Sequence, residues 1–106
     1  MIEWAIEFTK EAETDLKSLD HSQQLQVLKA IAKVSENPLP TSEGGYGKPL
    51  GNRMSVNLTG YLKIKLLKLG LRVVYCVIRD KNIMRIIIIS VRDDDTVYTM
   101  VKKRIK

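Results

Sequence analysis

The sequence predicts an α+β fold: a strand and a helical hairpin packed on a mainly antiparallel four-stranded sheet, closed by a short C-terminal helix. Three observations carry this. The chain opens on an alternating apolar/polar stretch. Two amphipathic helical segments follow. The rest is a meander of β-rich stretches joined by short turns. Its 106 residues fit one domain, expected over residues 1–106, and no repeat, low-complexity tract or linker interrupts it.

Glu3 to Phe8 alternates, with Trp4, Ile6 and Phe8 on one face of a half-buried strand and Glu3, Ala5 and Glu7 on the other. Thr9 suits the N-cap of a helix from Lys10 to about Leu19, with Glu11 and Glu13 at its positive end and Ala12, Leu16 and Leu19 as its buried stripe. Asp20-His21-Ser22 breaks that pattern. Asp20 or Ser22 can cap a second helix from about Gln23 to Glu36, with Leu25, Leu28, Ile31, Ala32 and Val34 on its apolar side. Asn37-Pro38 ends it. The Pro and Gly density from Leu39 to Arg53 marks a loop, without the spacing of a phosphate cradle. Met54 to Leu58 reads as a short edge strand.

A hairpin from Tyr61 to Ile78 comes next. Leu62, Ile64 and Leu66 share one face, and Tyr61, Lys63 and Lys65 the other. A four-residue loop, Leu67 to Gly70, would set Leu66 opposite Leu71 and Lys65 opposite Arg72. Like charges directly opposite are destabilising, so the pair suggests a polyanion on which the cations converge. The alternative is a solvated basic face whose side chains splay apart, and the hairpin alone does not choose. Arg79 to Asn82 is a second turn. Ile83 to Val91 is the next strand, and its run Ile86-Ile87-Ile88-Ile89 predicts a central strand covered in part on both faces. The last segment, Thr96 to Lys106, predicts a short helix with a basic end. On this reading the helices cover one face of the sheet, and the face with Lys63 and Lys65 is left for a ligand.

Charge is unevenly divided in a chain of net charge +6. Residues 1–45 hold four Lys/Arg against eight Asp/Glu, and residues 46–106 fourteen against four. One strongly positive surface is the footprint of a nucleic-acid binder, although a membrane surface, an acidic protein partner or simple solubility would also fit. The single Cys76 excludes an internal disulfide and fits a reducing, cytoplasmic location. The acidic, strand-like start is not expected to be a signal peptide, and the longest apolar run is too short to cross a bilayer.

Metal and histidine chemistry find little support. Asp93 to Asp95 are consecutive and cannot all face one ion, so a helix N-terminal role fits them better. The lone His21 falls in a turn and reads as a surface residue, and no Cys/His zinc spacing exists. No cofactor is expected. What remains is a set of cations and a phenol: Lys63, Lys65, Arg72, Arg92 and Tyr98. Arg offers bidentate donors to phosphate, a Lys crowded by cations can serve as a base, and a Tyr can join proton transfer or stack on a base. Such a set can support RNA cleavage by the ribose 2′-OH. It can equally be a phosphate-binding surface without chemistry.

The opening Trp-Ala-Ile-Glu-Phe-Thr-Lys-Glu-Ala-Glu-Thr-Asp-Leu-Lys-Ser-Leu-Asp, Lys48-Pro49-Leu50, Tyr61-Leu-Lys-Ile-Lys-Leu, Leu71-Arg-Val-Val-Tyr75 and Ser90-Val-Arg with Val97-Tyr98 together resemble the RelE/ParE toxin superfamily of bacterial type II toxin–antitoxin systems. The resemblance covers nearly the whole chain. The RelE branch comprises ribosome-dependent mRNA endonucleases, and the ParE branch inhibits DNA gyrase. The spacings from Lys65 to Arg72 and from Arg92 to Tyr98 fit the RelE pattern. By that resemblance Lys65, with Lys63, would activate the 2′-OH, and Arg72 would stabilise transition-state charge. Arg92 would assist the leaving 5′-oxygen, and Tyr98 would stack on the substrate or assist proton transfer. Lys48, Arg53 and Lys68 would bind RNA around this set. The resemblance also implies a cognate antitoxin, ribosome and mRNA as partners, and no membrane. The segment between Ser90-Val91 and Arg92 is shorter than in the archetype, the loop from Leu39 to Arg53 differs, and the run Asp93 to Asp95 is more acidic than the family's usual pattern. A gyrase inhibitor, or a degenerate toxin that only binds its antitoxin, are the alternatives.

Overall fold

The computed structural model describes residues 3–50, 52–53, 56–57, 60–90 and 94–104, the side chains at 52–53, 56–57 and 94–98 excepted. Thr9 links strand β1 (Ala5–Phe8) to helix α1 (Lys10–Lys17), and its hydroxyl accepts the Ala12 N–H at 3.1 Å as the expected N-cap. Asp20 caps α2 (His21–Val34) reciprocally. Its carboxylate accepts the Gln23 N–H at 2.8 Å, and the Gln23 side chain accepts the Asp20 N–H at 3.4 Å. The Gln24 side-chain amide donates to Leu16 O at 3.0 Å and Leu19 O at 3.1 Å, closing the carbonyl end of α1 and folding the pair into a hairpin.

The buried face of α2 matches expectation at Ile31 and Val34 and departs from it at the other positions. Val27, Ile31 and Val34 are buried, while Leu25 and Leu28 are 55% and 40% exposed and Ala32 is exposed as well. Positions 25, 28 and 32 and positions 27, 31 and 34 are both helical stripes of apolar residues, about 125° apart on the wheel. The β-branched stripe is the one turned to the sheet.

That sheet has five strands rather than four, in the order β1-β7-β6-β5-β2, with β2 (Lys48–Pro49), β5 (Tyr61–Leu66), β6 (Leu71–Ile78) and β7 (Ile83–Ser90). β1 runs parallel to β7, and the other pairs are antiparallel. The extra strand, β2, lies in the stretch read as loop, after a 3-10 turn at Thr41–Glu43. The Leu50 N–H donates to Tyr61 O at 3.0 Å, so Pro49, one residue back, turns its nitrogen away from β5, where a proline is tolerated on an edge. Two residues of β structure leave no alternation to read. β3 (Asn52–Arg53) and β4 (Val56–Asn57) form a separate ribbon. Of the edge strand expected from Met54 to Leu58, only Val56 and Asn57 are described, and they belong to this ribbon; positions 54, 55 and 58 lie outside the described residues.

Helices cover both faces, not one. Beneath α1 and α2, residues Ala12, Val27, Ile31, Leu62, Leu71, Tyr75, Met84 and Ile86 make the larger core. On the opposite face Val101 of α3 (Asp94–Arg104) packs with Leu50, Val74, Ile87 and Ile88. Each fully buried large apolar side chain contributes roughly 1.5–3 kcal/mol. The isoleucine run serves both cores through a bulge. Ile86 opposes Tyr75 and Ile88 opposes Val74, which leaves Ile87 without a partner on β6. Ile86 and Ile89 therefore face the larger core, and Ile87 and Ile88 the smaller.

Two polar ties hold distant segments to this frame. The fully buried Tyr75 donates its hydroxyl to Pro38 O at 2.7 Å, and burial pushes that phenol well above its usual range. The glycine loop closes over it so tightly that a Cβ on Gly47 would lie 2.3 Å from the Tyr75 oxygen. At the other end of the chain Arg104 donates to Asp15 at 2.7 and 3.2 Å and to Ile87 O at 2.9 Å, while Asp15 also accepts the Ile89 N–H at 3.0 Å. β1 ends at Phe8, and this pair occupies the β7 edge beyond it.

Asp15→Ala removes the acceptor of both Arg104 and the Ile89 N–H in a largely buried setting. Urea unfolding should show a loss of about 2–3 kcal/mol, and an unchanged midpoint contradicts the role given to the tie. Gly47→Ala should destabilise strongly in the native chain and by about 1–2 kcal/mol less when Tyr75 is already Phe, because the clash with the hydroxyl is gone. Strict additivity in that double-mutant cycle contradicts the contact.

Candidate functional site

The turn Leu67–Gly70 closes with Leu69 N–H to Leu66 O at 3.1 Å and Gly70 N–H to Leu67 O at 3.3 Å, and Gly70 takes a φ of +66° that suits glycine. It sets the expected register: Leu66 faces Leu71 and Lys65 faces Arg72. Strand alternation then decides how close these two side chains come. Since Tyr61 O points to β2, the backbone groups of Tyr61, Lys63 and Lys65 all point outward from β6. Lys65 and Arg72 are thus a non-hydrogen-bonded pair, the kind whose Cα atoms lie about 4.5 Å apart.

The same rule extends the row of charge. Lys63 is opposite Lys48 on one side and Val74 on the other, and Arg72 is opposite Ser90. Lys48, Lys63, Lys65 and Arg72 therefore share the sheet face on which Val74 and Ile88 pack against α3. Lys48 and Lys65 are exposed, Lys63 and Arg72 half-buried, and Lys63 and Arg72 each make further polar or electrostatic contacts. Lys68 is exposed in the turn and shares a cleft with Lys65.

The far end of this face is built differently. There Tyr61, Cys76, Arg85 and Glu7 form a row across four strands, and Arg85 meets Glu7 at 2.7 Å. Burial raises both the Cys76 thiol and the Tyr61 phenol, which keeps them neutral. Glu43 is likewise taken, by Arg79 at 2.6 and 2.8 Å; that contact lowers the carboxyl and raises the guanidinium. The chain thus matches cations with carboxylates at Arg85, Arg79 and Arg104. At Lys65 it places another cation opposite, and no carboxylate among the described residues pairs with Lys48, Lys65 or Lys68. Among the described residues, no three His, Cys, Asp or Glu gather where they could hold a metal ion, and no helix is long and apolar enough to cross a membrane.

Five of the eight expected residues are therefore brought to one region: Lys48, Lys63, Lys65, Lys68 and Arg72. Arg92 lies outside the described residues. Tyr98 is placed by backbone alone, three residues before Val101 in α3, and Arg53 by backbone alone in β3. Ser90 enters the sequence reading only as part of the Ser90-Val-Arg motif, with no place at the site. It faces Arg72 only because of the bulge at Ile87; an unbroken register would put Ile89 there. Gln26, which lines the cleft beside Lys65, also carried no signal, since α2 and the hairpin meet only in the fold.

Comparison with known proteins agrees with this architecture. The family described as ParE toxin of type II toxin-antitoxin system, parDE, matches residues 6–98. A mutant of the Escherichia coli toxin RelE in the free state is similar at 25% identity and a TM-score of 0.75, over 99% of this chain and 100% of that one. A chain of the RelBE2 toxin–antitoxin complex from Mycobacterium tuberculosis is similar at 26% identity and a TM-score of 0.67, over 87% of this chain and 94% of that one. The isolated E. coli RelE toxin, at 24% identity, a TM-score of 0.66 and 97% and 99% coverage, shares the fold. No curated protein matches at a significant level. The family match runs from β1 through the cation-bearing hairpin into α3, and the chain belongs to the ParE toxin family of type II toxin–antitoxin systems, within the RelE/ParE superfamily.

Proposed function

We propose that this toxin is a ribosome-dependent mRNA endonuclease of the RelE kind, acting in the cytoplasm and restrained by a cognate antitoxin. The observation that carries the reading is the direct opposition of Lys65 and Arg72 at a close, non-hydrogen-bonded pair, with Lys63 and Lys48 beside it. A phosphodiester placed over the four cations would turn their mutual repulsion into shared attraction. In the reaction the ribose 2′-oxygen attacks phosphorus and the 5′-oxygen leaves, giving a 2′,3′-cyclic phosphate and a 5′-OH. Lys65, with Lys63, takes the 2′-OH proton. Arg72 donates to the phosphoryl oxygens as charge builds on them. Arg92 assists the departing 5′-oxygen, and Tyr98 stacks on the substrate or joins proton transfer. Lys48, Arg53 and Lys68 hold the flanking phosphates. The ribosome would supply the bent substrate that so small a cationic set needs.

A second reading has its own support. The matching family carries the ParE name, and a ParE-like toxin would inhibit DNA gyrase without cutting RNA. The likeness to RelE in both coverage and TM-score favours the first reading.

Expression of the chain alone in a bacterial host should arrest growth and translation. Lys65→Gln should relieve the arrest while leaving stability equal or up to about 1 kcal/mol higher, since a like-charge pair is lost. Relief accompanied by clear destabilisation contradicts the functional origin of the pair. Primer extension on translated mRNA after induction should reveal codon-phased cuts; DNA damage without such cuts assigns the chain to the gyrase inhibitors instead.

A further inference from the structure

Helix α2 meets the hairpin turn in a cleft of about 310 Å³ lined by Gln26, Lys65, Leu66, Leu67, Lys68 and Leu69. Small-molecule sites span roughly 300–1,000 Å³, so the cleft has room for one small unit. Its apolar side is fixed in advance. Leu66 and Leu69 are half-buried and pack against the larger core, and the turn bonds from Leu69 N–H to Leu66 O and from Gly70 N–H to Leu67 O set the loop between them. Leu67 is 78% exposed, the most exposed of the large apolar side chains described. Lys65 and Lys68 flank these leucines in sequence, and no carboxylate among the described residues pairs with either.

Gln26 is the one uncharged polar member of this lining. Its side-chain N–H donates to Ser22 Oγ at 3.3 Å, a long contact at the surface that a ligand can replace. A glutamine amide sets a donor and an acceptor side by side in one plane. Apolar walls, such an amide and two cations together describe a nucleotide: base faces are apolar, base edges carry donors and acceptors, and phosphates are anionic. Inorganic phosphate would leave the leucines and the amide unused, and an acyl chain would leave the amide. The amide also discriminates among bases. Adenine presents an adjacent acceptor and donor on its Watson–Crick edge and again on its Hoogsteen edge, where N7 accepts and N6 donates; the other three bases present such a pair on only one of these edges.

We propose that this cleft is a base-reading subsite for one unstacked nucleotide of single-stranded RNA, with adenine favoured. The base lies against Leu66, Leu67 and Leu69, its edge pairs with Gln26, and the phosphates on its two sides meet Lys65 and Lys68. Lys65 belongs both to the cleft and to the row of cations on the sheet, so a strand that crosses the row continues into the cleft. That this nucleotide neighbours the scissile phosphate rests on the function proposed above; the subsite itself does not.

The probes are AMP, GMP, CMP, UMP, ribose 5-phosphate and the trinucleotide ApApA, each titrated into the full-length chain and followed by amide NMR. AMP should shift the Gln26 side-chain amide and the signals of Leu66 to Leu69. It should bind roughly fivefold more tightly than ribose 5-phosphate and about threefold more tightly than the other three nucleotides. ApApA should shift the same signals and bind more tightly than AMP, because it brings a phosphate to each lysine. Gln26→Leu alters an exposed helical position and keeps the cleft apolar; it should erase the advantage of adenine while AMP still binds more tightly than ribose 5-phosphate. Lys68→Gln should weaken all six probes alike. Equal binding of AMP and ribose 5-phosphate overturns the proposal, since the cations alone would then account for it. So does an adenine preference that survives Gln26→Leu, or a set of shifts that omits Gln26 and Leu66 to Leu69. Tighter binding of AMP than of ApApA overturns it too, by assigning the cleft to a free nucleotide. None of these readouts depends on ribonuclease activity, so a chain that reads adenine in the cleft yet cuts no mRNA refutes the function and leaves the subsite standing.

Discussion

The four-residue turn at Leu67–Gly70 is the constraint on which the rest of the charged face depends. It makes Leu66 face Leu71, and every later pairing on β5 and β6 follows by counting. The larger core needs that register, because a slip of one residue would move Leu62, Ile64, Leu71 and Val73 off the face covered by α1 and α2. Lys65 and Arg72 are thus brought together by the same pairing that buries the leucines. The backbone and the core determine where the cations stand; substitution of one of them for a polar residue would cost the core nothing.

The second constraint is the bulge at Ile87. One unpaired residue lets a run of four isoleucines serve two cores, and it brings Ser90 rather than Ile89 opposite Arg72. The altered edge of β7 beyond β1 is taken up by Asp15 and Arg104, so that α1, β7 and α3 meet in one set of hydrogen bonds. Position 98 lies in the helix held by that tie. Attachment of the C-terminal helix, and with it the backbone position of residue 98, therefore depends on the same few contacts.

The elements legible in the sequence are those whose signals are local. The N-caps at Thr9 and Asp20 and the register of the hairpin follow from residue type and loop length, and they stand in the structure as expected. Legibility ends where a choice is made by another part of the chain. Two apolar stripes competed on α2, and only the sheet decides between Val27-Ile31-Val34 and Leu25-Leu28-Ala32. β2 exists because β5 offers it an edge, not because Lys48 and Pro49 favour a strand. The coverage of the second face by α3 depends on an ion pair whose members, Asp15 and Arg104, lie at opposite ends of the chain. Of the candidate site, the strand lysines and Arg72 were legible because alternation places them; Ser90 and Gln26 were not, since a bulge and a tertiary contact bring them in.

The central claim is that Lys65 and Arg72 repel each other in the free protein and are reconciled by a polyanion. A double-mutant cycle on unfolding free energy, with Lys65→Gln and Arg72→Gln at low salt, measures that coupling directly. The account predicts an unfavourable coupling of about 0.2–1 kcal/mol that fades as salt screens it and reverses sign when single-stranded RNA is bound. A coupling that is zero or favourable in the free protein, and unmoved by RNA, would contradict it.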